Sequence, residues 1–362
     1  MSNSPTGRLQ SLDIFRGATI ASMVLVNNPG SSPAYGPLEH AAWHGWTFTD
    51  TVFPFFLWMV GVAMTLSTAR RVEQGADKAQ LLRHTVQRAV IIFLLGFLLS
   101  PLPNINWSTI RIPGVLQRIA ICYLIAGALF LFTRVRGQIV ALIGVNALYW
   151  GLMTLYPTPG CGPGSLTMEC NFARYVDSLF LTGHMWRATK VWDPEGIIST
   201  LPAISTVLFG ILAGHLLRRY TSHAERLKYL FAGGVGLLAL AQVVAIWMPI
   251  NKNLWTTSFA VHMAGLAMVV FGAWYWIADV RGQGRWFRFF EIFGTNSILM
   301  FVLSGTVAKI ASRTGFHKWY YDNFCLALAS PINASLLYAL TNVAVLWVIA
   351  WALWKRRWFL KF

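Results

Sequence analysis

Acidic residues are scarce, 13 Asp and Glu against 29 Lys and Arg, and charged residues make up only 12% of the 362 positions. Soluble globular chains carry roughly twice that share, so an ordinary water-soluble fold is excluded. Cysteine is nearly absent, with four in the chain. No pair of them has zinc-ligand spacing, and no metal is expected. No polar stretch is long enough to bury a core of its own, and no internal repeat stands out. The net charge of +16 comes without the exposed basic domain that a nucleic-acid partner needs, so none is expected.

What the chain has is apolar surface: 56% hydrophobic residues, 17 Trp and a mean hydropathy of +0.54. Apolar runs near the roughly 20 residues that cross a bilayer as helix recur throughout. They predict an all-α polytopic integral membrane protein with about ten transmembrane helices, at 9–28, 48–68, 85–99, 114–132, 138–156, 197–217, 228–248, 258–278, 291–310 and 333–354. Residues 1–362 read as one membrane domain with outward loops at 29–47, 157–195, 249–257 and 312–332. The opening residues lack a basic leader joined to a short apolar core, and Asp13 and Arg16 follow, so a retained helix is expected in place of a signal peptide.

Orientation follows from Lys and Arg, which accumulate in cytoplasmic connections. Eighteen fall on one side: Arg8, Arg70, Arg71, Lys78, Arg83, Arg134, Arg136, Arg218, Arg219, Arg226, Lys228, Arg281, Arg285, Arg288, Lys355, Arg356, Arg357 and Lys361. Seven fall on the other. Both termini are therefore expected in the cytoplasm, with the loop carrying His40 facing out. The net charge reads as this bias plus contact with anionic lipid headgroups. Cys161 and Cys170 bracket a Gly/Pro-rich turn in an outward loop, where a disulfide is expected; Cys122 and Cys325 read as packing residues.

Chemistry concentrates between Asn27 and Gly61. An apolar segment ends at Asn27-Asn28-Pro29-Gly30, a loop carries His40, Trp43 and His44, and Asp50 opens the next segment. Imidazole titrates near neutral pH and suits acid/base or nucleophilic work. Asn27 and Asp50 can both close on the loop, company that His184 and His262 lack. Charged groups inside spans are costly and mark candidate sites: Asp13 and Arg16 share one helix face at i and i+3, Arg118 follows Gln117 in an apolar helix, and Arg88 near a cytoplasmic end is also explained by snorkelling. Two outward clusters, Trp192-Asp193-Pro194-Glu195-Gly196 and Asn251-Lys252-Asn253-Leu254-Trp255-Thr256, mix acids, amides and Trp in the manner of sugar sites. For the first, helix capping is the competing reading.

Taken in order, Ser11-Leu12-Asp13-Ile14-Phe15-Arg16-Gly17, Val26-Asn27-Asn28-Pro29-Gly30, His40-Ala41-Ala42-Trp43-His44-Gly45, Thr49-Asp50-Thr51, Gly114-Val115-Leu116-Gln117-Arg118, Asp193-Pro194-Glu195-Gly196, Asn251-Lys252-Asn253-Leu254-Trp255 and Phe293-Gly294-Thr295-Asn296 resemble the membrane domain of the heparan-alpha-glucosaminide N-acetyltransferase family. The resemblance covers nearly the whole chain. It implies acetyl transfer from cytoplasmic acetyl-CoA, as co-substrate, to an amino sugar across the membrane. The family's essential histidine matches His40, a general base or transient acetyl carrier, and its catalytic asparagine matches Asn27. Substrate contacts are expected from Asp13, Arg16, Trp43, Asp50, Glu195, Asn251, Lys252, Asn253 and Trp255, and acetyl-CoA contacts from Gln117, Arg118, Asn296 and Arg88. The family's lysosomal member carries a further lumenal domain, so the shorter sequence favours a small acceptor such as glucosamine or a glucosaminide end. An O-acyltransferase of envelope glycans and an amino-sugar permease are the alternatives. A homodimer in a bacterial inner membrane, with the His40 loop in the periplasm, completes the expectation.

Overall fold

The computed structural model describes residues 9–32, 34–99 and 106–360. Arg8 and Lys361, counted in the charge balance, lie outside the described residues, as do the first eight positions of the retained-helix reading. The helices are α1 (Gln10–Asn27), α2 (Phe48–Glu73), α3 (Lys78–Leu99), α4 (Val115–Phe132), α5 (Val135–Thr154), α6 (Phe172–Phe180), α7 (Thr200–Arg219), α8 (His223–Ala245), α9 (Thr257–Tyr275), α10 (Arg288–Thr295), α11 (Ser297–Arg313), α12 (Phe316–Tyr320), α13 (Leu326–Leu328) and α14 (Pro331–Lys355). Among the described residues there is no β-strand, only isolated bridges. The protein is all-α and membrane-spanning.

Among the described residues eight helices are long and apolar enough to cross a bilayer, α2, α3, α4, α5, α7, α8, α9 with its extension to Val280, and α14. Counting the bent pair of α10 and α11 as one span gives nine. The expected tenth, 9–28, is a helix, but Gln10, Asp13, Arg16 and Asn27 dilute its apolar character. The expected 291–310 span is broken at Asn296, where the two pieces bend by 71°.

The chain forms two compact units, one of Met1–His40, Thr47–Val52 and Val270–Phe362, the other of Ala41–Trp46 and Phe53–Val269. In the first unit α1 packs on α10 at backbone contact: a methyl added at Gly17 would lie 1.6 Å from the Phe290 carbonyl oxygen. Small residues permit such approach between membrane helices. The free N–H groups of Gln10 and Ser11 at the start of α1 donate to the Asp279 carboxylate, each at 3.1 Å, placing an anion at the positive end of the helix. At its other end, Gly30 and Ser31 donate to Ser335 Oγ on α14, and the Ser31 and Tyr321 hydroxyls meet at 2.6 Å.

In the second unit α2 and α7 cross at Gly61 and Gly210, where an added methyl would come within 2.1 Å of Val207 O and 2.0 Å of Trp58 O respectively. The 157–195 loop is an ordered cover. Cys161 and Cys170 are disulfide-bonded with Cα atoms 5.7 Å apart, and Asn171 caps α6 by accepting the Arg174 N–H. The apolar face of α6, Phe172, Ala173 and Val176, packs with Tyr149, Met153, Met248 and Leu254, and Trp43 and Tyr175 lie against this cluster. Phe180 stays exposed. Cys122 and Cys325 are buried and free.

Candidate functional site

In the first unit, Asp50 sits in the opening turn of α2 with its side chain fully buried, and its Oδ1 lies 2.6 Å from Nδ1 of His40, whose ring is half exposed. Thr47 fixes the other carboxylate oxygen by donating its backbone N–H to Oδ2 at 3.0 Å, while its hydroxyl donates to the Glu39 carbonyl oxygen at 2.6 Å. A carboxylate can only accept, so the neutral His40 ring carries its proton on Nδ1 and presents the Nε2 lone pair. That is the arrangement of a general base.

Asn27 closes α1 with an exposed side chain. Its neighbour Asn28 is buried, donating to Val24 O at 2.7 Å and Ser304 Oγ at 2.9 Å. Of the two amides, Asn27 is thus the accessible one. Asp13 and Arg16 form the expected i, i+3 pair at 2.6 Å, and Arg16 Nε donates to Gly294 O at 2.8 Å, tying α1 to α10. Asn296 donates to Trp358 O and accepts from Leu360 N, so both ends of its amide hold the segment that follows α14.

The second unit gathers a buried charge network. Arg111 makes a fork on Asp193 (2.9 and 2.6 Å) and reaches Glu195 at 2.5 Å. Burial works against the Arg111 charge, but the two carboxylates outweigh it and raise the guanidinium above its ordinary value. Burial likewise pushes Glu195 up, yet Lys252, Arg111 and Arg118 outweigh it and hold the carboxyl below its usual range. Asp177 on α6 accepts the N–H groups of Asp193 and Ile197. Burial nevertheless pushes Asp177 up to about 6. Gly196 is required at the contact, since a methyl there would sit 2.2 Å from the Asp177 carboxylate.

Arg118, buried on α4, donates Nη2 to Gly196 O and to the Ser199 hydroxyl and stacks over Trp255 at 5.1 Å. Trp255 is wholly buried; its indole N–H donates to Thr206 Oγ1, and Phe53 and Phe259 pack edge-on against it. It therefore braces Arg118 rather than offering a face. Gln117 is buried against Gly96 and Gly114, and Arg88 lies over the Tyr123 ring at 5.6 Å. Lys252 and Asn253 are half-buried.

Asn251 is fully buried. Its Oδ1 accepts the Leu254 N–H at 2.9 Å, its own N–H goes to Thr256 Oγ1, and its Nδ2 lies 3.3 Å from His44 Nδ1. The Gly45 N–H donates to Ile250 O at 2.7 Å, and Trp43 donates to Leu166 O at 2.9 Å while meeting Trp192 edge-on at 5.3 Å. Sequence reasoning missed Arg111, Asp177 and the Asn251 partnership of His44. Arg111 meets its acids across more than 80 residues, a distance at which no local pattern signals pairing. No group of His, Cys, Asp and Glu suited to a metal occurs among the described residues.

The family model described as heparan-alpha-glucosaminide N-acetyltransferase, catalytic, matches residues 8–239. A human protein named heparan-alpha-glucosaminide N-acetyltransferase is 29% identical over 350 residues, covering 82% of this chain and 52% of the human one. A mouse protein of the same name is 26% identical over 413 residues, covering 99% of this chain and 61% of its own. The chain thus spans about half to three fifths of the length of these relatives. Because the matched stretch holds His40, Asp50, Arg111, Arg118 and Glu195 and runs over more than half the sequence, the chain belongs to the heparan-alpha-glucosaminide N-acetyltransferase catalytic family.

Proposed function

We propose that the protein is a membrane N-acetyltransferase that moves acetyl from cytoplasmic acetyl-CoA to the amine of a small amino sugar on the outer face of the membrane. The observation that carries this reading is the His40–Asp50 pair, which sets the tautomer of an accessible imidazole so that the neutral ring presents its Nε2 lone pair. The neutral amine attacks the thioester carbonyl carbon while His40 Nε2 takes the amine proton. The tetrahedral intermediate collapses with cleavage of the C–S bond, and the proton passes from His40 to the departing thiolate. Asn27, the exposed amide of its pair, donates to the developing oxyanion.

Acetyl-CoA is a co-substrate, and Arg88, with Gln117 and Arg118, is the candidate set for contacting it. Trp43, Glu195, Lys252 and Asn253 are the candidates for the acceptor; Asn251, expected among them, is fully buried with both ends of its amide taken by Leu254 and His44. The direct route needs no covalent intermediate. Recovery of labelled protein after quenching with acetyl-CoA alone would replace it with an acetyl-histidine route.

The test is formation of labelled N-acetylglucosamine from radiolabelled acetyl-CoA and glucosamine by purified, detergent-solubilised protein, with His40→Ala beside it. Product from wild type and none from the variant is the expected result. Equal product from both removes His40 from the chemistry, and no product from either removes this acceptor.

A further inference from the structure

We infer that His44 is held as a neutral hydrogen-bond donor that recognises a hydroxyl oxygen of the acceptor sugar. The inference rests on the proposed acetyl transfer to an amino sugar and adds a residue that sets acceptor specificity.

The argument starts at Leu254, whose backbone N–H can only donate. The Asn251 atom 2.9 Å away must then be its carbonyl oxygen, which fixes the orientation of the amide. The atom turned to His44 is accordingly the NH2 group, again only a donor. His44 Nδ1 must accept from it and so carries no proton. The one proton of the neutral ring is on Nε2, and among the described residues that N–H has no acceptor on an exposed side chain. A second proton on Nδ1 would point at the Asn251 NH2, so the cation is opposed, and the partial burial of the ring lowers the imidazole further from its ordinary value.

The support is built. Asn251 is fully buried, its backbone is tied to Thr256, and Gly45 beside His44 is bonded to Ile250. A ring kept neutral, with one N–H outward, does not suit phosphate or carboxylate, which favour a cation. It suits a neutral oxygen. Trp43, edge-on to His44 with ring centres 6.2 Å apart, adds an aromatic surface of the kind that packs on a sugar. The histidine of the proposed base, His40, has the opposite tautomer, because its Nδ1 faces a carboxylate.

Two measurements on the full chain in detergent test this. In the first, steady-state transfer is measured with glucosamine and with its 3-, 4- and 6-deoxy analogues. His44→Phe is expected to raise KM for glucosamine about tenfold, the loss of one hydrogen bond, with kcat nearly unchanged, and His44→Gln, which keeps an N–H donor, to recover most of it. One deoxy analogue should be poor with wild type yet suffer no further loss in His44→Phe. An unchanged KM, or an equal penalty on every analogue, overturns the contact; a fall in kcat alone overturns it as well and makes His44 a group that acts on the reacting carbonyl. In the second, 15N-histidine NMR is expected to show His44 protonated on Nε2 in wild type and on Nδ1 in Asn251→Asp, whose carboxylate accepts where the amide donated. A wild-type proton on Nδ1 overturns the inference whatever the activity. Should wild type transfer no acetyl, the proposed reaction fails; the inference then stands only if glucosamine shifts the His44 Nε2 resonance, and falls if it does not.

Discussion

The direction of one proton decides what His40 can do. Asp50→Asn is nearly isosteric, but the Thr47 backbone N–H donates to one oxygen of the side chain, so the new amide keeps its oxygen toward Thr47 and turns its NH2 toward His40. Nδ1 then becomes the acceptor, the proton moves to Nε2, and the base is lost. We expect kcat to fall by about 10²- to 10⁴-fold, in the range seen when a catalytic histidine is held in the wrong tautomer, with the protein still folded. Acetyl transfer at saturating substrates measures it, and activity within threefold of wild type would remove Asp50 from the mechanism. That Asp50 closes on the His40 loop was legible in the sequence because the two are only ten residues apart, but its carboxylate was expected on substrate and lies instead on His40 Nδ1. The choice of Asn27 over Asn28 came only from the family resemblance; its physical basis, the burial of Asn28 against Ser304, joins residues 276 positions apart.

At the scale of the element, backbone contact between helices makes glycines decisive. Gly61→Ala would place a methyl 2.1 Å from a carbonyl oxygen and 2.7 Å from the Ile211 nitrogen, neither of which can rotate away. Separating α2 from α7 should cost about 1–3 kcal/mol or more, visible as a lower thermal midpoint in detergent, whereas Gly144→Ala, with open space around it, should leave the midpoint unchanged. Equal midpoints for the two variants would contradict the packing. The short helix α6 carries a pH dependence of its own. Burial raises the Asp177 carboxyl to about 6, against about 3.9 in an unfolded chain. The folded protein therefore keeps this proton where the unfolded one has lost it, and the resulting stability is complete below about pH 4 and lost as pH rises through 6. Wild type should lose thermal stability relative to Asp177→Asn between pH 4.5 and 7, and a constant difference across that range would refute the assignment. Hydropathy alone located most long helices to within a few residues. It could not show that Asn296 breaks one of them, because the break is stabilised by backbone groups of Trp358 and Leu360.

At the scale of the whole molecule, sidedness is the remaining proposal, and contacts within each unit bear on it. In the second unit the loops assigned outward by charge touch one another: Gly45 bonds Ile250, Trp43 bonds Leu166, and Arg111 bonds Asp193. At the ends assigned inward, Glu73 pairs with Arg218. In the first unit the basic connection after α9 lies with the start of α1, through Asp279 and Gln10. A single inversion of one helix would break these pairings, so each unit either has the orientation set by its Lys and Arg or is reversed as a block. The disulfide between Cys161 and Cys170 favours the first choice, because such bonds persist on the oxidising side of a membrane. With Cys122 and Cys325 buried, single cysteines introduced at Asn253 and Arg226 can be read separately by a membrane-impermeant maleimide. In intact cells Asn253→Cys should label and Arg226→Cys should label only after permeabilisation. The reverse pattern would put the Asn251 loop and its partner His44 on the cytoplasmic side, where acetyl-CoA and acceptor would share one compartment and transfer across the membrane would not be needed.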